Sequence, residues 1–291
     1  MGQSPVRVGV VDIGTNSMRL LITDGMVAAG RWEEVTGLGQ GVDATGRLSE
    51  EAMERTLSVL RRYGETMEEV DRRAAMATSA TRDASNREVF LGRAEEALGV
   101  RPRLITGVEE ARYAFAGATG RWDGPRPWVV SDIGGGSTEF VTDEDAISID
   151  IGSVRLTERW FDRRPVGPGQ LGAARGEVAG LFQDVVLDPV GSLLGVAGTW
   201  TEMGGLVGGH ERDVDLATVT LAEVSELVPF LAGLSVDETA HLPTLNPKRA
   251  GTILGGVVVA EGVMKTLGAD TATQSIADTL DGLARELLAV T

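Results

Sequence analysis

The sequence predicts an α/β protein built in two halves, and three observations carry that prediction. Apolar runs of strand type alternate with stretches of helical periodicity along the chain. One short phrase is written twice. Val8-Gly9-Val10-Val11-Asp12-Ile13-Gly14-Thr15-Asn16-Ser17 returns as Trp128-Val129-Val130-Ser131-Asp132-Ile133-Gly134-Gly135-Gly136-Ser137-Thr138. Between the copies, residues 120–127 hold two glycines and two prolines and read as a linker.

In order, residues 6–13 read as a buried strand, and 18–23 follow the turn closely enough to form a hairpin. Residues 37–46 are a glycine-rich loop. A helix starts at Ser49, with Ala52, Met53, Thr56, Leu57 and Leu60 on one face. Residues 74–78 form a short strand leading into the polar turn 79–83. Ser85 with Glu88 fits a capping box for a helix through about Leu98, stopped by Gly99. Leu104-Ile105 is a last short strand, and Thr106-Gly107-Val108-Glu109 is a second capping box. Val108, Ala111, Phe115 and Ala118 then fall at core-facing spacing. Glu110 belongs neither to the cap nor to that face, although the helix dipole alone could favour it there. The second half repeats the strand and loop, then reads as a strand at 147–151 and helices near 170–187 and 220–233. An apolar run at 193–197 ends in Gly198-Thr199, and helices cover roughly 248–267 and 276–290.

Composition removes several classes of chemistry. The absence of cysteine excludes disulfides, thiolate nucleophiles and Cys-ligated zinc. Two histidines, His210 and His241, are too few for a histidine-rich metal centre and leave little for a Ser-His-Asp triad. A net charge of −16 repels nucleic acid and anionic membranes, and 4% aromatic content offers few platforms for stacking bases. Neither partner is expected. No apolar N-terminal stretch or membrane-length run occurs, so a cytoplasmic protein is expected.

The repeated phrase points to anion binding. A Gly/Ser/Thr turn after a strand can aim N–H groups and hydroxyls at an anion, and the aspartate beside it can hold a metal or water. Either turn alone is better read as a hairpin turn; the matched pair favours phosphate.

These motifs together resemble the Ppx/GppA family of exopolyphosphatases and guanosine-pentaphosphate phosphohydrolases. The matching positions are Asp12-x-Gly14-Thr15-Asn16-Ser17-x-Arg19, Thr78-Ser79-Ala80-Thr81-Arg82, Gly107-x-Glu109-Glu110-Ala111 and Asp132-x-Gly134-Gly135-Gly136-Ser137-Thr138-Glu139. Gly152-x-Val154-Arg155-Leu156 and Gly195-x-x-Gly198-Thr199 extend the match over nearly the whole chain. Arg249-Ala250-Gly251 departs from the family's Arg-Ala-Asp. The chain looks most similar to the short, two-domain actinobacterial form.

The resemblance implies two ribonuclease-H-like domains of the actin / sugar-kinase / Hsp70 superfold, 1–120 and 121–276, with the active site in the cleft between them and the last helix, 277–291, returning to the first. It implies Mg²⁺-dependent release of orthophosphate from polyphosphate, with guanosine penta- or tetraphosphate as a further ligand and a homodimer as a family analogy. Gly14, Thr15, Asn16, Ser17, Gly134, Gly135, Gly136, Ser137 and Thr138 would bind terminal phosphate oxygens. Arg19, Arg82 and Arg249 would fork onto chain phosphates. Asp132 and Glu139, with Asp12, would hold Mg²⁺, and Glu110 would orient the attacking water. A sensor that binds without turnover, and a kinase or ATPase of the same superfold, are the alternatives.

Overall fold

A computed structural model describes residues 5–187, 190–209 and 215–289; His210 lies outside them. The chain divides into two compact units, one of residues 1–117 with the chain from Thr279 onward, the other spanning Ala118–Asp278.

The first unit is built on one mixed sheet of β1 (Val8–Ile13), β2 (Ser17–Thr23), β3 (Ala28–Val35), β4 (Arg72–Ala77) and β5 (Arg103–Leu104), ordered β3-β2-β1-β4-β5. β1–β2–β3 is an antiparallel meander; β4 and β5 add in parallel. β1 is buried on both faces, which is why it reads as an apolar run up to Asp12. Val11 and Ile13 pack with the helices Glu50–Thr66 and Arg87–Leu98, while Val8 and Val10 pack with the final helix, Thr279–Ala289. That final helix brings Leu280, Leu283 and Ala284 to the sheet.

The second unit repeats the plan. Its strands are β6 (Trp128–Ile133), β7 (Thr138–Val141), β8 (Ala146–Ile149), β9 (Ser192–Val196), β10 (Thr218–Thr220) and β11 (Thr271–Gln274). The order β8-β7-β6-β9-β11 matches that of the first sheet, with β10 added antiparallel at the edge. A three-stranded meander followed by parallel additions, seen twice, is the ribonuclease-H-like plan that the resemblance implies. The core centres on the helix Ile253–Thr266, buried around most of its surface. Its one buried charge, Glu261, is held by Arg175 (2.6 and 3.0 Å) and Lys265 (2.7 Å). No helix among the described residues is long and apolar enough to cross a membrane.

Two helix starts separate right from wrong capping assignments. Thr106 and Glu109 form the expected box: Glu109 Oε2 accepts from Thr106 N at 2.8 Å and Thr106 Oγ1 accepts from Glu109 N at 3.2 Å. Ser85 does not cap the helix Arg87–Leu98. Asn86 occupies the cap position without a side-chain cap bond, Ser85 Oγ donates to Gly46 O at 3.0 Å, and Glu88 pairs with Arg101. The long helix is also shorter than the sequence suggests. It begins at Ile253, and Pro247–Arg249 is a separate single turn of 3-10 type.

Candidate functional site

The duplicated phrase folds into the same local structure in each unit. The strand ends, a four-residue turn follows, and the first glycine N–H donates to the serine carbonyl three residues on: Gly14 to Ser17 at 3.1 Å, Gly134 to Ser137 at 3.0 Å. In the first unit the Thr15 and Asn16 carbonyls are taken by a second element, the glycine-rich stretch at residues 36–41. Gly39 N donates to Thr15 O at 2.7 Å, and Thr36 N and Gly37 N both donate to Asn16 O at 2.9 Å. Thr15, Asn16, Ser137 and Thr138 are all buried polar residues. Asn16 Nδ2 makes no hydrogen bond within the protein, so a buried donor in this turn awaits an acceptor.

Other sequence-selected residues of the first unit gather through a chain of short contacts. Residues 79–83, expected as a turn, form a short helix, Ser79–Asp83; Thr78 N donates to Ile13 O (3.2 Å) and Ala80 N to Thr15 Oγ1 (3.1 Å), which ties that helix to the first loop. Arg82, in that short helix, donates to Ile105 O at 3.0 Å and lies 3.8 Å from Glu110 Oε2. Glu110 is 9% exposed, and its N–H donates to Thr106 O at 3.0 Å within the helix Gly107–Ala118. Glu109 closes the cap, so the neighbouring carboxylate is left to face Arg82. The Glu109 carboxyl is held below its usual range by the Thr106 N–H and hydroxyl that it accepts from.

The two copies differ at one register position, and the difference sorts the acidic residues. Asp12 on β1 stands opposite Arg19 on β2; Asp132 on β6 stands opposite Glu139 on β7. Directly opposed residues of an antiparallel pair share a face. Asp12 therefore meets a guanidinium, with Arg19 Nε and Nη2 donating to Oδ2 at 3.0 and 2.5 Å. Across the strands from Asp132 stands a second carboxylate, Glu139. Both are buried, and Glu139 Oε1 accepts from Ser148 Oγ at 2.7 Å. Two hard oxygen donors side by side suit a divalent cation that keeps waters and phosphate oxygens as its other ligands. Among the described residues no group of three or more His, Asp or Glu is placed to hold a metal by itself. Asp132 and Glu139 are oxygen donors of the kind that Mg²⁺ takes, and Asp12 is held by Arg19.

Arg249 is 7% exposed, with its Nε 3.3 Å from Glu202 Oε1. Its guanidinium lies against Gly198, where a Cβ would come within 2.2 Å of Nη2. Glu202 also accepts from Asn246 N at 2.9 Å, so this carboxylate joins the Pro247–Arg249 turn to the helix Ala197–Gly208. Ala197, which opens that helix, sits at φ 68°, a strained conformation for a residue with a side chain. Sequence reasoning selected Arg249 and missed Glu202, which no motif marks. His241 is exposed, with Nδ1 2.7 Å from Asp237 O.

Comparison with known proteins agrees with this architecture. Residues 10–283 match the model of the Ppx/GppA phosphatase family. The chain is 37% identical to Exopolyphosphatase 2 of Mycobacterium tuberculosis, over 97% of this chain and 98% of that one. The crystal structure of an exopolyphosphatase-like protein superposes with a TM-score of 0.92 at 34% identity, covering 97% of this chain and 98% of that one. The Ppx/GppA protein of Aquifex aeolicus gives 0.79 at 29% identity, with the same two coverages. A family model spanning nearly the whole chain, and relatives matched end to end, establish that this chain belongs to the Ppx/GppA phosphatase family.

Proposed function

We propose that this protein is an exopolyphosphatase, releasing orthophosphate from the ends of inorganic polyphosphate. The observation that carries the reading is the pair of glycine turns, closed by the same Gly-to-Ser hydrogen bond and set after the first strand of each of two like-ordered sheets. Membership of the Ppx/GppA family and 37% identity to a mycobacterial exopolyphosphatase support it.

The reaction asks little covalent work of the protein. A water oxygen attacks the terminal phosphorus, the anhydride P–O bond breaks, and the shortened chain leaves with the bridging oxygen and its electrons. In this reading the turns at Gly14–Ser17 and Gly134–Thr138 bind phosphoryl oxygens through N–H groups and hydroxyls. Glu110 accepts the hydrogen bond of the attacking water, orients it in line and takes its proton. Arg82, 3.8 Å from Glu110, sets the carboxylate in place and offers positive charge to a phosphoryl group. Asp132 and Glu139 would hold Mg²⁺, which supplies charge neutralisation when bound. Arg19 and Arg249 serve first as partners of Asp12 and Glu202, so their contribution to substrate runs through those pairs.

The test is phosphate release by the purified protein with Mg²⁺, offering long-chain polyphosphate, guanosine pentaphosphate and ATP in parallel. Polyphosphate is expected to be hydrolysed, with guanosine pentaphosphate as a second substrate through its own terminal anhydride. ATP as the sole good substrate would overturn the reading in favour of an ATPase. Tight polyphosphate binding without release would make the protein a sensor. Chelation by EDTA is expected to abolish release and added Mg²⁺ to restore it. A cytoplasmic homodimer completes the reading and is checked by fractionation and sedimentation.

A further inference from the structure

The second glycine loop is held from behind, through its carbonyl oxygens. Gly134 O accepts from Ser153 N (3.0 Å) and Ser153 Oγ (3.3 Å); Gly135 O accepts from Val154 N (2.8 Å) and Arg155 N (3.1 Å). Gly136 O accepts from the Arg155 side chain, Nε at 2.9 Å. Three consecutive carbonyls thus point at one short segment, residues 152–155, where the helix Ser153–Trp160 begins. Gly152 permits the approach. A Cβ there would lie 2.6 Å from Gly134 O and from Gly135 C.

A trans peptide is planar, with its C=O and the following N–H pointing in opposite directions. The cis peptides among the described residues precede Pro127 and Pro165, away from this loop. With the carbonyls of residues 134–136 fixed toward the helix, the N–H groups of Gly135, Gly136 and Ser137 are turned to the other side. Successive N–H groups turned one way make a concave seat for an anion oxygen. Backbone amides secure the first two peptides, and they persist whatever side chain replaces the native one, proline apart. The third is secured by one side chain.

We propose that Arg155 is a positioning residue for phosphoryl binding: its Nε fixes the Gly136–Ser137 peptide so that the Ser137 N–H completes the anion seat. The inference deepens the polyphosphatase reading and rests on it for the identity of the substrate. In the first unit the corresponding work on Thr15 O and Asn16 O is done by the backbone of residues 36–41. Arg155 thus gives the second loop a side-chain control that the first loop's backbone latch does not need. An N–H that contacts phosphoryl oxygens in both the bound substrate and the transition state contributes to KM more than to kcat.

The experiment compares wild type, Arg155→Ala and Arg155→Lys, with inorganic pyrophosphate as the binding probe and polyphosphate as substrate. Arg155→Ala is expected to weaken pyrophosphate binding about tenfold or more. Polyphosphate KM should rise with it while kcat changes less. Added methylguanidinium should restore affinity to Arg155→Ala and leave the wild type unchanged, and Arg155→Lys should fall between the two. A merely structural role would give neither the KM-against-kcat split nor the rescue. If Arg155→Ala fails to fold, Arg155→Met, which keeps much of the side chain's length and carries no donor for Gly136 O, is read by the same titration. Pyrophosphate affinity unchanged in a folded Ala or Met variant overturns the proposal. Pyrophosphate bound by the wild type and lost in Arg155→Ala, with no polyphosphate hydrolysed by either, sinks the substrate reading and leaves the positioning role standing. A wild type that binds no pyrophosphate sinks both.

Discussion

Replacing Gly39 by alanine tests whether the first loop depends on the backbone latch behind it. A Cβ at Gly39 would lie 2.3 Å from Thr15 Cγ2, 2.9 Å from Ala80 Cβ and 3.3 Å from Thr15 O. Carbon atoms in good contact sit about 3.5–4 Å apart, so something must move by more than about an ångström. Thr15 cannot turn aside without loss, because its Oγ1 accepts from Ala80 N and its carbonyl accepts from Gly39 N at 2.7 Å. Overpacking costs about 1–3 kcal/mol, and a buried N–H left without its acceptor costs about 1–3 kcal/mol more. Allowing for partial relaxation, about 2–4 kcal/mol of destabilisation is expected, which lowers the melting temperature of a unit this size by roughly 6–12 °C. Calorimetry and urea unfolding read the stability, and pyrophosphate titration reads the loop. Gly92→Ala is the matched control. Gly92 lies in the helix Arg87–Leu98 with nothing within 4 Å of a new Cβ, so the same substitution should stabilise by about 0.5–1 kcal/mol. A Gly39→Ala protein melting within about 2 °C of wild type, with unchanged pyrophosphate affinity, would refute the reasoning.

Two further outcomes follow from the same contacts. Glu261→Gln removes the charge that Arg175 and Lys265 share. It should lower the stability of the second unit by about 2 kcal/mol in urea unfolding, leaving the first unit's transition in place; a single unaltered transition would contradict this. Glu109 has a folded pKa below its usual value near 4.5, so its stabilising contribution is complete above that value and is lost as pH falls through the lower folded pKa. The stability gap between wild type and Glu109→Gln, about 0.5 kcal/mol at neutral pH, should close under acid. A gap that widens below pH 4.5 would reverse the sign of this argument.

Much of the candidate site's local structure was legible because its parts are consecutive in sequence. A strand, an aspartate and a glycine turn are consecutive in sequence, and the Thr106–Glu109 cap is settled within one helical turn, which is what left Glu110 for another task. Pairings made across the fold were not legible. The opposition of Asp12 to Arg19, and of Asp132 to Glu139, follows from hairpin register. Reading that register from the turn lengths would have placed Arg19 opposite Asp12 and Glu139 opposite Asp132 in advance. Glu202 meets Arg249 across 47 positions, from residue 202 to residue 249, with no periodic signal.

The missed elements have physical reasons as well. β3, Ala28–Val35, is an edge strand with exposed residues at both parities, so it lacks the alternation that betrays a half-buried strand. β10 and β11 are short and threonine-rich. The helix Ala197–Gly208 contains four glycines and would be poor as an isolated helix; Trp200 and Met203, both fully buried, hold it by packing. Ser85 was a plausible cap by spacing, and tertiary bonding to Gly46 O claimed its hydroxyl instead.

Glu110→Gln, assayed side by side for phosphate release and for pyrophosphate binding, tests the catalytic account most directly. The substitution keeps the size and the helix position of a side chain 9% exposed beside Arg82, and removes its negative charge and with it its ability to take a proton. Release from polyphosphate should fall by about 10²–10⁴-fold, with pyrophosphate affinity essentially retained. Undiminished release by the glutamine variant would contradict the account.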